Sequence, residues 1–328
     1  MVGISYIVKH KDIDVRMASR SGGIFTALSD IVIDYGGLIY GCSLDKDYSA
    51  IHKRIEGKEE RNMFRQSKYI QSDLKNVFQS VKTDLLNKKT VLFSGTSCQV
   101  DGLKKYCAHV DTDQLYCVDI VCHGVPSPYI WKAYLDYMSR KYHGVIQAVD
   151  FRNKRKYGWA EHIETLNIAG NNYDRTIFTK LFYKHDILRP SCYQCPYKDI
   201  LHPGDITIAD AWGVEVSDAD FNDNKGVSLT LVNSEKGLGL FKKALPDCEF
   251  REVNLKNYMQ QPLRKPFPKP AERDKFWSDY KSLIFAKIIH MYTNDPLYKK
   301  IGSKLKKIVK KFMQSKIKSD HGDSYVKG

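Results

Sequence analysis

The residues best suited to chemistry are cysteines. Eight among 328 residues are too few for a small disulfide-stapled secreted scaffold, which directs attention to thiol chemistry and metal ligation. Cys192 and Cys195 form a CxxC pair in the loop RPSCYQCPYK, a spacing that brings two thiolates within reach of one metal or cluster. A lone pair equally suits a redox dithiol or two inert thiols, and ligation needs two more donors. Cys98, in VLFSGTSCQVDGL, follows a short buried strand, and Cys122, in VDIVCHGVPSP, ends another. The crevice outside the carboxyl ends of the strands is where open α/β sheets bind ligands, so both side chains are expected in one crevice. Cys42 and Cys117 fall inside strand patterns and Cys107 and Cys248 have no partner motif; these four read as core or incidental thiols. Zinc and a 4Fe–4S cluster both accept four thiolates, but one tight pair joined by two strand-end cysteines suits a buried electron-transferring cluster better than a structural zinc with two tight pairs.

Two polar stretches offer binding chemistry. In RMASRSGGI, Arg16 and Arg20 precede Ser21, Gly22 and Gly23, which lead into an apolar helical stripe. A helix start with small residues presents free N–H groups to a phosphate, and Ser21 is the expected N-cap; a cap with no ligand is the plainer alternative. In RQSKYIQS, the polar residues Lys68 and Gln71 surround the aromatic Tyr69, an arrangement suited to a stacked planar ring or, equally, to an exposed loop. His123, beside Cys122, is the candidate proton donor, the alternative being a strand-end histidine.

These residues need elements to hold them. ISYIV, LIYGCSL, TVLFSG and LYCVDIVC read as strands, alternating with helical patterns over Ser21 to Tyr35, DLKNVFQSVKTDLLNKK, CQVDGLKKYC and SPYIWKAYLDYMSRKYH. That order predicts an α/β fold with a mostly parallel sheet and flanking helices in the N-terminal part. VIQAVDF, HIETLNI, NYDRTIF, DITIADAW, VSLTLVNS and CEFREV predict a more β-rich, mixed α+β second half. Pro262, Pro266, Pro268 and Pro270 make the following stretch an extended strap. The expected organisation is a core over 1–270, with halves of about 1–110 and 111–270, a helical extension over 271–296, and a basic tail over 297–328.

The formal net charge of +14 is concentrated at the end of the chain: nine lysines and no acid lie between Pro296 and Ser319. The core therefore gives no indication of nucleic-acid binding. The tail predicts a basic amphipathic helix, fitted either to a solvated terminal helix or to peripheral contact with an anionic membrane. No stretch has signal-peptide or membrane-span character, so the expected location is cytoplasmic, with membrane association at the inner face through the tail.

Taken in order, SGGIFTAL, SKYIQSDL, VLFSGTSCQVDGL, VDIVCHGVPSP, RPSCYQCPYK and DITIADAWGVE resemble the motifs of the coenzyme F-420 hydrogenase/dehydrogenase beta-subunit family, over about Val8 to Lys269. The resemblance implies a flavoprotein oxidoreductase with FAD and a 4Fe–4S cluster, passing electrons between iron–sulfur centres and a hydride-carrying small-molecule substrate. It implies that Ser21, Gly22 and Gly23 hold FAD phosphates and that Lys68, Tyr69 and Gln71 lie near the flavin. Thr96 and Gln99 would line the same pocket, and Cys98, Cys122, Cys192 and Cys195 would hold the cluster. Many relatives begin with a ferredoxin-like CxxCxxC segment, and nothing of that kind precedes Ile4. The expected electron donor is therefore a separate ferredoxin-like protein or subunit. The family leaves the substrate open: deazaflavin F-420, another organic molecule, or a role beside surface-polysaccharide synthesis. The competing expectation is a non-redox accessory protein with a zinc-filled or empty cysteine site, recruited through its basic tail. A thiol–disulfide enzyme is the third reading, but the CxxC does not open a helix that would depress a thiol pKa.

Overall fold

The computed structural model describes residues 3–294, so the basic tail predicted over 297–328 lies outside the described residues. The first strands and helices follow the alternation in the sequence. They are β1 (Ile4–His10), α1 (Ile13–Ala18), α2 (Ile24–Asp34), β2 (Leu38–Leu44), β3 (Ala50–Ile55), α3 (Val77–Leu86), β4 (Val91–Thr96), α4 (Ser97–Tyr106), β5 (Leu115–Ile120) and α5 (Pro128–Lys141). After them come β6 (Ile146–Asp150), β7 (Glu164–Ile168), β8 (Asn171–Arg175), α6 (Ile177–Tyr183), β9 (Ile206–Asp210), β10 (Ser228–Val232), α7 (Glu235–Ala244) and β11 (Cys248–Glu252).

Eight strands form one sheet in the order β11-β1-β10-β9-β5-β4-β2-β3. Its centre, β2-β4-β5-β9, is parallel, and both flanks are antiparallel. The chain is thus α/β with a mixed sheet. Strands of the β-rich second half complete this sheet, and β1 sits between β10 and β11. A separate antiparallel sheet, β6-β7-β8, rests on α5 and α6 through Trp131, Phe151 and Phe178, whose rings pack within 6.2 Å of one another.

The strand period of two sends alternate side chains to opposite faces. Val8, Ile39, Leu92, Val118 and Val232 pack with Leu28 and Val32 of α2 and Leu240 and Phe241 of α7. Leu38, Tyr40, Val91, Phe93 and Cys117 pack on the other face with Val81 and Leu85 of α3 and Leu103 of α4. Fully burying a leucine or valine stabilises the fold by about 1.5–3 kcal/mol, so both helical layers are held mainly by this apolar seam. Among the thiols read as core or incidental, Cys107, Cys117 and Cys248 are buried.

Ser127 and Pro128 open α5 as expected of an N-cap and first-turn proline. At α2 the expectation fails by two residues: Gly23 is the N-cap, and no side chain caps the helix. The Ser21 hydroxyl is committed elsewhere, donating to the Val227 carbonyl at 2.5 Å. The proline strap contains one short 3-10 turn, Gln261–Leu263.

Contacts divide the chain at Arg273/Asp274. The second unit carries most of α8 (Arg273–Ser282) and all of α9 (Phe285–Thr293). Within it Phe276 and Tyr292 meet edge to face at 4.8 Å, and the Tyr292 hydroxyl donates to Asp279 at 2.8 Å. Among the described residues no helix is long and apolar enough to cross a membrane.

Candidate functional site

The carboxyl ends of β2, β4, β5 and β9 open onto a cavity of about 1920 Å³. Pockets for drug-sized ligands are typically roughly 300–1,000 Å³, so this one is larger than a single small ligand needs. Ser21, Gly23, Lys68, Tyr69, Gln71, Thr96 and Gln99 line it, with Cys98, Cys122 and His123. Gly22 does not. A Cβ at Gly22 would stand 2.1 Å from the Val8 carbonyl and 2.6 Å from the Ser228 amide, so glycine is required there for the turn to lie against β1 and β10.

One wall is cationic. The uncapped start of α2 faces the cavity beside Arg20, Arg65 and Arg152, a setting that favours anions. Arg20 donates to the Trp159 carbonyl at 2.5 Å while its Nε is buried without a partner in the protein. Arg152 pairs with Asp210 at 2.9 Å and donates to the Tyr69 hydroxyl at 3.2 Å. Asp210, held below the usual carboxylate range by Arg20 and Arg152 against the effect of burial, also accepts from the Trp159 indole at 3.0 Å. Sequence reasoning did not single out Arg152 or Asp210, although Asp210 lies in the DITIADAWGVE motif.

Beside this wall, the Lys68 ammonium donates to the carbonyls of Arg65 (2.7 Å) and Met63 (2.9 Å). Burial pushes its pKa down to about 8, with the Cys42 thiol opposing. Cys42, read as a core or incidental thiol, lines the cavity, and burial raises its pKa against the influence of Lys68 and Ser72. Thr96 and Gln99 close a capping box on α4, and Gln99 reaches on to the Ser72 hydroxyl at 2.8 Å. Their positions at the cavity and their service to the helix start are the same fact: the box fixes the segment that carries Cys98.

His123 stands between Phe267 (4.3 Å) and Phe182 (4.8 Å), its Nε2 2.6 Å from that of His185. Burial, then His185 and Lys198, lower its pKa to about 3, so it is a neutral imidazole at physiological pH. Tyr183, His162 and Trp212 continue this aromatic wall, with the Tyr183 hydroxyl 2.5 Å from His162 Nδ1.

Cys98 and Cys122 line the cavity, whereas Cys192 and Cys195 do not; the four come from three segments. Cys98 is the second residue of α4, Cys122 lies two residues past β5, Cys192 sits in the 3-10 turn Pro190–Gln194, and Cys195 follows that turn. Cys98, Cys122 and Cys192 lie near enough for their charges to affect one another, and Cys195 affects Cys192. Burial raises the Cys122 pKa to about 11 and also raises that of Cys192, with Lys198 opposing in both cases. The Lys198 ammonium donates to the Cys122 carbonyl. Among the described residues, no three His, Cys, Asp or Glu side chains are close enough to hold a single metal ion. Four thiols are the donor type that an iron–sulfur cluster takes.

Residues 88–257, just over half the chain, match the family model for the carboxyl-terminal part of the coenzyme F420 hydrogenase/dehydrogenase beta subunit. The fold is similar to that of a chain in the xenon-derivatised F420-reducing nickel–iron hydrogenase complex from Methanosarcina barkeri. The two share 15% identity with a TM-score of 0.52, over 75% of this chain and 81% of that one. No curated protein matches the chain. The matched span begins just before β4 and ends just after β11, taking in all four cysteines and the strand ends around the cavity. The chain belongs to the coenzyme F420 hydrogenase/dehydrogenase beta-subunit family, and so to a family with a redox role.

Proposed function

We propose that the chain is an FAD- and 4Fe–4S-dependent oxidoreductase that exchanges hydride with an organic substrate and single electrons with a separate ferredoxin-like donor or subunit. The observation that supports this reading is that Cys98 and Cys122 line a cavity with a cationic wall, with Cys192 near enough to influence both. Cys98, Cys122, Cys192 and Cys195 would hold the cluster; the raised pKa values of Cys122 and Cys192 mean that loading it releases protons. The start of α2 with Arg20 and Arg65 would take the cofactor phosphates, and Lys68, Tyr69 and Gln71 would stand by the isoalloxazine ring. Bound there, FAD would supply the conversion between two-electron and one-electron transfer.

The chain's own side chains would do the rest. Trp212, Tyr183 and Phe267 offer flat faces for a planar substrate such as a deazaflavin. The neutral His123 can accept or pass a proton but does not store one at physiological pH. The test is anaerobic purification with iron, sulfide, zinc and flavin measured on one sample. About four irons and four sulfides per chain with one FAD is the expected result. Zinc, or no metal, together with no flavin would replace the reading with a non-redox binding protein.

A further inference from the structure

Cys98, Cys122 and the Cys192–Cys195 pair are far apart in sequence, and something must hold their segments in register. The turn after Cys122 is tied to the Cys192 segment by backbone bonds: Arg189 donates to the Val125 carbonyl and Ser127 to that of Ile187, both at 2.9 Å. The Cys98 segment and the loop after Cys195 meet at a different point. His202 Nδ1 lies 3.0 Å from Asp119 Oδ2 and 3.1 Å from Ser97 Oγ.

Each partner belongs to a different cysteine-bearing segment. Ser97 immediately precedes Cys98, Asp119 is on β5 three residues before Cys122, and His202 is seven residues beyond Cys195. The node is dry: the side chains of His202 and Asp119 are 1% and 0% exposed, and Ser97 is buried. A carboxylate only accepts, so the hydrogen sits on Nδ1 and is shared between Asp119 Oδ2 and the Ser97 hydroxyl oxygen, both of which accept from it. The other Asp119 oxygen accepts from Thr207 of β9 at 2.6 Å, and Asn233 donates to Thr207 Oγ1 (2.8 Å) and to the Gly204 carbonyl (3.0 Å). The loop of His202 is therefore fastened to β5, β9 and α4 at once. A buried carboxylate–imidazole contact is a poor source of stability compared with apolar packing, and none of its three side chains lines the cavity. Its product is register between segments.

We propose that His202, through Asp119 and Ser97, is a positioning residue that sets the spacing of the four thiols before any cluster is loaded. This rests on reading those thiols as ligands. His202 bonds to Ser97 and Asp119, which flank the thiols in sequence, and the effect expected on its loss is a fall in the iron retained per chain.

The experiment uses the full chain with three substitutions. His202→Leu fills the space without a donor, His202→Asn returns an N–H close to the position of Nδ1, and Ser97→Ala removes one hydrogen bond at a helix start where alanine is well tolerated. Two quantities are read: iron and sulfide per chain after anaerobic purification, and, in the metal-free protein, the bridging of Cys98 to Cys192 by a short bifunctional thiol reagent, followed by mass spectrometry. His202→Leu is expected to lose both iron retention and bridging, and His202→Asn to recover both. Parental iron and bridging in His202→Leu would overturn the proposal, as would loss of both in His202→Asn at parental melting temperature. If His202→Leu does not fold, unaltered iron and bridging in Ser97→Ala overturns it. A parent protein free of iron whose bridging still fails in His202→Leu and recovers in His202→Asn would refute the cluster reading while upholding His202 as the residue that spaces the thiols.

Discussion

Gly22 shows how a residue type is legible in a sequence while its reason is not. A Ser-Gly-Gly turn before a helix reads as a place where a phosphate approaches the backbone, yet the space a Cβ would need at Gly22 is taken by the main chain of β1 and β10. The β10 side of that contact, Ser228, lies about two hundred positions from Gly22, and no local pattern announces that approach. Gly22→Ala is therefore expected to destabilise the fold by about 1–3 kcal/mol through overpacking, seen as an earlier urea midpoint in flavin-free protein. An unchanged midpoint would return the glycine to the ligand. Lys68 was legible as a polar group by an aromatic, but its titration depends on enclosure. Its pKa falls from 10.5 in the open chain to about 8 in the fold, so between those values the unfolded state binds more protons and stability rises with pH. Urea midpoints from pH 7 to 11 should climb more steeply for the parent than for Lys68→Met; parallel profiles would mean that Lys68 titrates normally.

At the scale of elements, the strands and helices that frame the cysteines were legible because their apolar periods are regular: β4 and α4 before and after Thr96, β5 before Cys122, and α5 behind a Ser-Pro cap. The elements missed were those whose local signal contradicts their state. α7, EKGLGLFKKA, contains two glycines and reads as a poor helix, but Leu240 and Phe241 bury against the sheet beside α2, and packing decides the matter. β3 is short and carries His52, Lys53 and Arg54 between apolar ends. The two glycines of α7 are not equivalent. A Cβ at Gly237 would come within 2.3 Å of the Asp205 carbonyl, whereas nothing lies within 4 Å of one at Gly239. Gly239→Ala should raise stability by about 0.5–1 kcal/mol from helix propensity, and Gly237→Ala should lower it. Thermal melts of the two variants beside the parent decide this, and equal shifts in one direction would refute the account of α7.

At the scale of the whole molecule, one eight-stranded sheet draws strands from both the N-terminal part and the β-rich second half of the chain. β1 enters the sheet between β10 and β11, a pairing set by long-range register that single-sequence patterns do not encode. The cavity inherits this interleaving: its wall runs from Ser19 on the first turn to Phe267 in the proline strap. A ligand there touches segments whose mutual placement exists only in the folded state, so it binds the native chain and not the unfolded one. Binding should then stabilise by mass action, roughly 2.7 kcal/mol when free ligand exceeds its dissociation constant a hundredfold. At about 2–4 °C per kcal/mol for a domain of 150–250 residues, and somewhat less for this longer core, flavin-stripped protein should melt several degrees higher in excess FAD. The rise should follow the logarithm of FAD concentration. Adenosine monophosphate carries the adenine and one phosphate but no isoalloxazine ring, so it should give a smaller rise if Lys68, Tyr69 and Gln71 hold the ring. Equal rises with the two ligands would confine recognition to the start of α2 and its arginines. A melting temperature indifferent to FAD across a thousandfold range would leave the cavity to another ligand and the chain without its proposed flavin.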